Sequence, residues 1–117
     1  VKEMLPCVGQ GVIALQTRKN DQDILNLIYK VNNPNTFNCV NAERAMLKTI
    51  KGDCNTAVGG LATINNNLIT LKSELFSVDG KQRFFAKASG KPEAAKEIGI
   101  KVGKELIMQA GTAYKKK

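Results

Sequence analysis

The amino-acid sequence predicts an α+β domain in which a three-stranded antiparallel sheet has helices packed on one face. Two hairpin signals, the asparagines at 65–67 and Asp79-Gly80, divide a β-rich stretch into three runs. Apolar residues recur at helical spacing both before and after this stretch. The 117 residues have 43% hydrophobic content, which is enough for one core. We therefore expect the order helix, three strands, helix between about residues 36 and 113.

The first 33 residues predict a separate segment that precedes this domain. Residues 1–8 are expected to be extended, and Gly9-Gln10-Gly11 predicts a tight turn. The run 12–17 is apolar and rich in branched residues, which predicts a short buried strand. A helix follows, which is capped by Asn20 or Asp21 and reaches about Val31.

The stretch Asn32-Asn33-Pro34-Asn35 predicts a linker, because asparagine and proline favour turns and proline stops a preceding helix. One strand and one helix cannot bury their own apolar faces. Their partner is therefore either the rest of this chain or sequence absent from it, and we favour absent sequence. The predicted division is a strand-helix segment with its linker at 1–33 and a domain at 34–117.

The first helix of the domain is expected to begin at Thr36 or Asn38 and to run to about Lys51, with Gly52 as its C-terminal stop. Its core face is predicted from residues at helical spacing: Cys39, Ala42, Met46, Leu47 and Ile50. In that position Cys39 acts as a small buried hydrophobe. Glu43 and Arg44 are expected to have structural roles that fix the domain.

The three strands are predicted at 56–64, 68–77 and 82–88. The first is expected to be bulged at Gly59-Gly60. Alternation along the second separates two sets of residues, with Ile69, Leu71 and Leu75 on one side and Thr70, Lys72 and Glu74 on the other. The third carries Phe84-Phe85, of which at least one is expected in the core.

The last helix is predicted between Pro92, near its first turn, and Gly111, just past its end. Gly99 and Gly103 each cost this helix about 1 kcal/mol relative to alanine, so they are expected to allow close approach to the sheet. The predicted buried stripe consists of Ala95, Ile98, Val102, Leu106 and Gln109.

Composition narrows the classes of function. The net charge is +8, which could attract nucleic acid, anionic lipid or a carboxylate-rich molecule, or could simply belong to a lysine-rich surface. No apolar run reaches the ~20 residues of a membrane span, and we expect neither a signal peptide nor a membrane partner. The three cysteines lack a Cys-x-x-Cys spacing, which indicates free thiols and a cytoplasmic location.

Cys54 is the strongest candidate for a functional side chain. The sequence Gly52-Asp53-Cys54 places a thiol in a short turn just past a helix end, where it can project from the fold. Because the chain has no histidine, this thiol cannot belong to a Cys–His nucleophile pair or to a Cys/His zinc site, and no metal site is expected. A projecting cysteine without a base is suited to hold an attached group.

Four strings of residues together resemble one family. They are Leu5-Pro6-Cys7-Val8-Gly9-Gln10-Gly11, Ala42-Glu43-Arg44-Ala45, Gly52-Asp53-Cys54 and Asp79-Gly80. In this order and spacing they resemble the C-terminal part of the hydroxymethylbilane synthases, which are also called porphobilinogen deaminases. The resemblance covers essentially the whole chain and implies the third domain of that family, preceded by a return segment into the first domain.

The resemblance implies that Cys54 holds a dipyrromethane cofactor through a thioether. The parent transferase condenses four porphobilinogen molecules to hydroxymethylbilane with release of ammonia, and is implied to be a cytoplasmic monomer of heme and porphyrin biosynthesis. Gln10, Gly11 and Arg18 match family positions near the substrate and cofactor. Asp53 departs from the family's usual glycine and adds a negative charge beside an anionic cofactor. The catalytic aspartate lies in upstream sequence, so this chain is expected to hold no catalytic residue and to be inactive without its N-terminal domains.

Other interpretations stay open for several of these features. The turn at Gln10 and Gly11 can equally be a structural hinge, and Arg18 can form a surface or interdomain ion pair. A small basic nucleic-acid-binding module is the competing function; it requires lysines on one face with exposed aromatic rings between them, and only six aromatic residues are present. A standalone regulatory domain has support only from the size of the chain.

Overall fold

The structure is a computed structural model that describes residues 4–52 and 55–115. It contains, in order, α1 (Gln22–Val31), α2 (Pro34–Thr49), β1 (Val58–Asn65), β2 (Leu68–Phe76), β3 (Arg83–Gly90), a 3₁₀ turn (Pro92–Ala94) and α3 (Ala95–Ala110). The sequence of α2, three strands and α3 confirms the predicted α+β architecture.

The sheet is antiparallel throughout, with the strand order β1-β2-β3. Asn66 and Asn67 connect β1 to β2 with φ angles of 52° and 58°, the left-handed values that a two-residue hairpin turn requires. The inward side of β2 carries the predicted Ile69, Leu71 and Leu75, all fully buried. Both helices of the domain pack on that side, where Met46 of α2 and Leu106 of α3 are fully buried too.

Gly59 and Gly60 lie in a regular part of β1, so the predicted bulge is wrong. They pair without interruption with Glu74 and Ser73 of β2. Their lack of a side chain serves close approach instead: a Cβ on Gly59 would lie 2.9 Å from the Leu5 carbonyl oxygen, and one on Gly60 would lie 3.0 Å from Met46 Cε.

The glycines of α3 face the neighbouring helix and not the sheet, which corrects the prediction. A Cβ on Gly99 would lie 2.7 Å from Ala45 Cβ of α2, and one on Gly103 would lie 2.7 Å from Thr49 Cβ. Helix–helix contact at this distance requires small residues. Gln109, predicted in the buried stripe, is exposed; its side-chain amide bonds the backbone N–H and C=O of Phe85 at the free edge of β3.

The helix boundaries differ from the predictions around Pro34. Asn33 caps α2 by accepting the Thr36 N–H at 3.1 Å, and Pro34 occupies the first turn. Proline suits that position because its fixed φ matches a helix and its missing N–H would have had no partner there. The linker between α1 and α2 is therefore Asn32-Asn33 alone, shorter than the predicted four residues.

The strand predicted at 12–17 does not form, although the helix predicted after it does. A strand needs a neighbour for its backbone hydrogen bonds, and none of the described strands pairs with this run. Its side chains are open to solvent: Ile13 is 90% and Leu15 60% exposed. The following α1 is capped by Asp21 as predicted, yet none of its residues is buried.

Candidate functional site

The end of α2 forms the near side of the candidate site. The Gly52 N–H donates to the Leu47 carbonyl at 3.0 Å and the Lys51 N–H to the Lys48 carbonyl at 3.1 Å, which is the Schellman arrangement that closes a helix. Lys51, and not the predicted Gly52, adopts the left-handed conformation, with φ of 55°. A Cβ on Gly52 would lie 2.6 Å from Leu47 Cδ1, so the Leu47 side chain would have to shift to accommodate it.

The start of β1 forms the far side of the site. The Phe76 N–H of β2 donates to the Ala57 carbonyl at 2.9 Å, so the sheet hydrogen bonds begin one residue ahead of Val58. The intervening connection contains Asp53 and the predicted anchor Cys54, both of which lie outside the described residues. Cys54 is therefore bracketed in the chain by two ends that are fixed by hydrogen bonds.

The charge around this connection is positive. Lys48 and Lys51 are both exposed at the C-terminal end of α2, where cations are favourable because the helix dipole is negative there. Neither lysine has an ion-pair partner within the described residues. Both charges lie at the helix end that leads into this connection.

Residues 5–9 run along the free edge of β1. The Gly60 N–H donates to the Pro6 carbonyl at 2.9 Å, and Leu5 lies against Gly59. Val8 packs against the core on the helix side of the sheet. The edge of β1 is thereby covered in the way that protects exposed strands from unwanted pairing.

Two buried glutamates hold this segment in place. Glu43 of α2 is 5% exposed; its Oε1 accepts the Gly9 N–H at 2.9 Å and its Oε2 accepts the Ala62 N–H of β1 at 3.3 Å. Glu74 of β2 is 2% exposed and accepts the Leu5 N–H at 2.9 Å and Arg83 Nε at 2.5 Å. Hydrogen bonds to a carboxylate are stronger than those between neutral groups, so these contacts anchor both ends of residues 5–9.

Sequence reasoning assigned Glu43 a structural role but did not identify its partners, and it missed the burial of Glu74. Glu74 lies on the predicted side of β2, opposite the core, but residues 5–9 cover that corner of the sheet. In the sheet, Glu74 pairs with Gly59 of β1. A charged side chain opposite a glycine is the one sequence feature that could have indicated this contact.

The three further predicted site residues are exposed. Gly9 and Gly11 have φ angles of 78° and 74°, so the predicted turn forms, and Gln10 stands at its tip. Within the described part of the chain, the Gln10 amide makes no side-chain hydrogen bond and the Arg18 guanidinium no ion pair. Glu43 thus ties the turn of Gln10 and Gly11 to α2, whereas no described contact holds Arg18 there.

A groove of about 680 Å³ lies between the 12–15 run, the end of α1 and the first half of α2. Its lining is mainly apolar and includes Ile13, Val31 and the 57%-exposed Phe37, with Arg44 at the side of α2. Arg44 is exposed and has no ion pair within residues 4–52 and 55–115.

The two described cysteines differ in environment. Cys39 is half-buried and packs against the core, close to the predicted role of a small hydrophobe. Burial raises the pKa of its thiol, and the nearby Glu43 carboxylate raises the pKa further. Cys7 is exposed, and neither of the two is in a disulfide.

No group of three potential metal-ligating side chains occurs among residues 4–52 and 55–115. Over the same residues, no helix has the length and apolar character needed to cross a membrane.

The fold and site define an α+β domain whose first helix leads into its sheet through a cysteine-bearing connection. A family model described as the C-terminal domain of porphobilinogen deaminase matches residues 37–108. The porphobilinogen deaminase of Syntrophobacter fumaroxidans is 36% identical over 105 residues, which cover 90% of this chain and 34% of the relative. That of Staphylococcus carnosus is 38% identical over 104 residues, covering 88% and 32%.

The chain belongs to the porphobilinogen deaminase family and contains its C-terminal domain. It spans about a third of the length of the curated relatives it matches. The resemblance noted from the sequence is confirmed at the level of the family.

Proposed function

We propose that this chain is the cofactor-attachment part of a hydroxymethylbilane synthase and that Cys54 is the attachment point of a dipyrromethane. The proposal depends on one observation: the short connection that contains Cys54 leaves a hydrogen-bonded helix end and enters a paired strand. A group attached to such a connection is held by a chain segment whose two ends are both fixed by hydrogen bonds. Membership of the family supports the same assignment.

The residues around the connection fit this cofactor. Dipyrromethane carries several carboxylate side chains, and the exposed Lys48 and Lys51 supply positive charge at the helix end. The Cys54 Sγ would hold the group covalently, and the turn of Gln10 and Gly11 offers amide donors for a pyrrole carboxylate. The negative charge of Asp53 would weaken the attraction between these lysines and the carboxylates of the cofactor. When bound, the dipyrromethane supplies the growing end to which porphobilinogen units are added.

We further propose that residues 1–33 belong with the first domain of a longer protein. The amphipathic α1 supports this, because Leu27 is 58% and Val31 70% exposed along its apolar face. The groove beside α2 continues that apolar surface. The missing N-terminal domains are the proposed partner, in a monomeric, cytoplasmic transferase that converts porphobilinogen to hydroxymethylbilane.

The catalytic acid and base are proposed to come from those missing domains. Four of the described carboxylates have other roles: Asp21 caps α1, Asp79 stabilises a turn, and Glu43 and Glu74 bind backbone N–H groups. A general acid or base has to reach substrate, and Glu43 and Glu74 are buried with their oxygens already hydrogen-bonded.

The test of the attachment site is a chimeric protein that joins this chain to the N-terminal two thirds of the Staphylococcus carnosus porphobilinogen deaminase. Intact mass and peptide mapping should show an adduct of dipyrromethane size on Cys54. The adduct should be lost in Cys54→Ser and retained in the matched variants Cys7→Ser and Cys39→Ser. An unmodified Cys54, when the S. carnosus enzyme prepared in parallel carries the adduct, would overturn the proposal.

The competing function, a nucleic-acid-binding module, has one observation in its favour. On the outer face of the sheet, Lys72 lies directly opposite Lys87, and Arg83 lies over the Phe85 ring at 5.5 Å. This face offers one exposed ring for stacking, whereas single-strand binding proteins use several. We expect no salt-dependent binding of oligonucleotides, and binding that Lys72→Glu and Lys87→Glu abolish would favour this second function.

A further inference from the structure

The run 12–17 has a backbone without hydrogen-bond partners. Within residues 4–52 and 55–115, none of its N–H and C=O groups bonds to another group of the chain. Its composition is that of a strand, and the side chains of Ile13 and Leu15 are 90% and 60% exposed. The run is therefore a strand-forming segment that lacks a sheet to join.

β3 lies at one edge of the sheet, and its outward backbone groups are only partly occupied. The Gln109 side chain accepts the Phe85 N–H at 3.3 Å and donates to the Phe85 carbonyl at 2.9 Å, so both Phe85 groups point away from β2. These are the two bonds that a residue of a neighbouring strand would make. Because backbone groups alternate in direction along a strand, those of Lys87 and Ser89 point outward as well, and no described group bonds to them.

A groove of about 300 Å³ lies between this edge and α3. Its lining includes the small, buried Ala86 and Ala88 of β3 together with Val102 of α3. A strand added at the edge would direct every second side chain to this side of the sheet. Ile13 and Leu15 have that spacing of two residues, and their aliphatic side chains match the apolar part of the lining.

The run of one molecule cannot lie along β3 of the same molecule. Residues 5–9 lie beside β1, where the Gly60 N–H and the Glu43 carboxylate bind them. The position beside β1 and the position beside β3 are four strand spacings apart, which is about 19 Å. The chain from Gly9 to Val12 reaches at most about 11 Å. In a solution of this chain, only a second copy can bring the run to the β3 edge.

We propose that the β3 edge of one copy accepts the 12–17 run of a second copy as a fourth strand, in place of the Gln109 amide. Donor and acceptor are different surfaces of the molecule, so each copy binds one neighbour at each surface and the assembly extends into chains or closes into a ring. The contact does not depend on Cys54. In a longer protein whose first domain binds residues 1–33, the donor is occupied and the contact does not form.

The first test measures the mass of the purified 117-residue chain by sedimentation velocity at increasing concentration. We expect species larger than a dimer, because a donor and an acceptor remain free at the two ends of each dimer. Hydrogen exchange of the Lys87 and Ser89 amides should slow at least tenfold in the associated sample relative to the dilute one.

The acceptor is blocked by Lys87→Pro. The Lys87 N–H points away from β2, so a proline there leaves the β2–β3 hydrogen bonds intact and removes the donor that an added strand needs. We expect the dissociation constant of the assembly to rise at least tenfold. Lys87→Ala is the matched control, because it removes the same charge but keeps the N–H, and it should associate at least as strongly as the parent chain.

The donor is blocked by the double variant Ala14→Pro and Leu15→Pro. Successive residues of a strand direct their N–H groups to opposite sides, so one of the two prolines removes a pairing N–H in either register. The matched control is Lys19→Pro, in the turn where the Asp21 N–H donates to the Arg18 carbonyl, since proline suits the second position of such a turn. The double variant should be monomeric and the control should associate as the parent chain does.

Mixing the two blocked chains isolates this contact from any other. The Lys87→Pro chain keeps its donor and the double proline variant keeps its acceptor, so the two should form a one-to-one complex although each alone is monomeric. Gln109→Ala frees the Phe85 groups and should bind at least threefold more tightly than the parent chain. Lys104→Ala, at an exposed position of the same helix, should bind as the parent chain does.

Any of four results would overturn the inference: a parent chain that stays monomeric up to its solubility limit, association that survives Lys87→Pro, a mixture without a complex, or a Gln109→Ala chain that binds no more tightly. Association that survives Lys87→Pro would assign the contact to the exposed apolar face of α1 instead. The chimeric protein of the attachment test should stay monomeric. A chimera that associates through the same edge would contradict the placement of residues 1–33 with the first domain and leave strand addition standing.

Discussion

At the scale of single residues, the candidate site depends on charged groups. The sequence indicates which element carries each of them but not which group each one binds. Glu43 and Glu74 are both nearly inaccessible to solvent, and each accepts a backbone N–H from residues 5–9. A buried carboxylate is stable only when its oxygens are hydrogen-bonded. These two carboxylates therefore link the turn that carries Gln10 to the domain that carries Cys54.

Replacement of Glu43 by glutamine should loosen this link. A glutamine retains one acceptor oxygen, so one of the two backbone N–H groups of Gly9 and Ala62 loses its partner, and the loss is about 1–3 kcal/mol. Denaturant unfolding should report the loss, and hydrogen exchange should locate it at Gly9 or Ala62. The matched control is Glu97→Gln at an exposed position of α3, which should change stability by less than about 0.5 kcal/mol. Equal effects of the two variants would contradict the role given to Glu43.

The turn before β3 should make stability depend on pH. Asp79 accepts hydrogen bonds from the Ser77 hydroxyl at 2.5 Å and from the Lys81 N–H at 3.0 Å, and these bonds hold its pKa below the ordinary value. A lowered pKa in the folded state means that the stabilisation is present above the unfolded pKa, about 3.9, and is lost as pH falls through the folded value.

Asp79→Asn should therefore unfold at lower denaturant concentration than the parent chain at pH 6. The difference should shrink as the pH falls below about 4, because the parent aspartate then also loses its charge. Urea unfolding of both proteins at pH 6, 4 and 3 measures this. A difference that stays constant over the three pH values would show that the Asp79 charge does not stabilise the turn.

At the scale of elements, α2 and α3 make a close helix–helix contact along the half of α2 that leads to Cys54. Gly99 and Gly103 allow the two helices to approach until a Cβ would clash with Ala45 or Thr49. The same approach brings the end of α3, and with it Tyr114, whose hydroxyl donates to the Ile50 carbonyl, close to the end of α2. The glycines thus permit this helix contact although they lie far from α2 in sequence.

Gly99→Ala should destabilise the fold in spite of a better helix propensity. Alanine favours a helix by about 1 kcal/mol over glycine, but the new methyl group would overlap Ala45 and the backbone of α2, which typically costs 1–3 kcal/mol or more. Thermal unfolding should show a lower midpoint for Gly99→Ala. Lys104→Ala, on the exposed side of the same helix, should leave the midpoint nearly unchanged, and a stabilised Gly99→Ala would disprove the close helix contact.

At the scale of the whole molecule, both edges of the sheet are partly covered by non-strand groups. The Pro6 carbonyl and the Glu43 carboxylate each accept a hydrogen bond from an N–H group of β1, and the Gln109 side chain accepts one from the Phe85 N–H of β3. By contrast, α1 and the 12–17 run expose apolar side chains. Single apolar side chains of the domain are exposed as well, among them Phe37 of α2 and Met108 of α3, so the N-terminal segment contributes most but not all of the exposed large apolar side chains.

The purified 117-residue chain is expected to form no hydroxymethylbilane from porphobilinogen, because its two buried glutamates are hydrogen-bonded to backbone N–H groups and the catalytic groups are proposed to lie in the N-terminal domains. The measurement is a colorimetric assay of bilane after its ring closure, with loss of water, and oxidation to uroporphyrin, with the S. carnosus porphobilinogen deaminase as the positive control. Bilane formation above the rate of a Cys54→Ser sample would refute the expectation and would place the catalytic groups within this chain.

The sequence by itself determined the order of elements from α1 onward and the hairpin turns, and it limited the cap of α1 to Asn20 or Asp21. These features depend on local rules: the periods of helix and strand, the left-handed tendency of asparagine, and a side chain that reaches its own backbone three residues on. The family was likewise readable from short strings of residues. Local chemistry sufficed because each of these features is formed by neighbours in the chain.

Only the tertiary structure decided which contacts hold the site together. The burial of Glu74, the pairing of Tyr114 with Ile50 and the contact of Gly99 with α2 each join residues that are far apart in sequence. The run 12–17 has the composition of a strand but lacks a neighbouring strand to bond with. Burial and pairing depend on which surfaces meet, and the periodicity of one segment does not specify its partner.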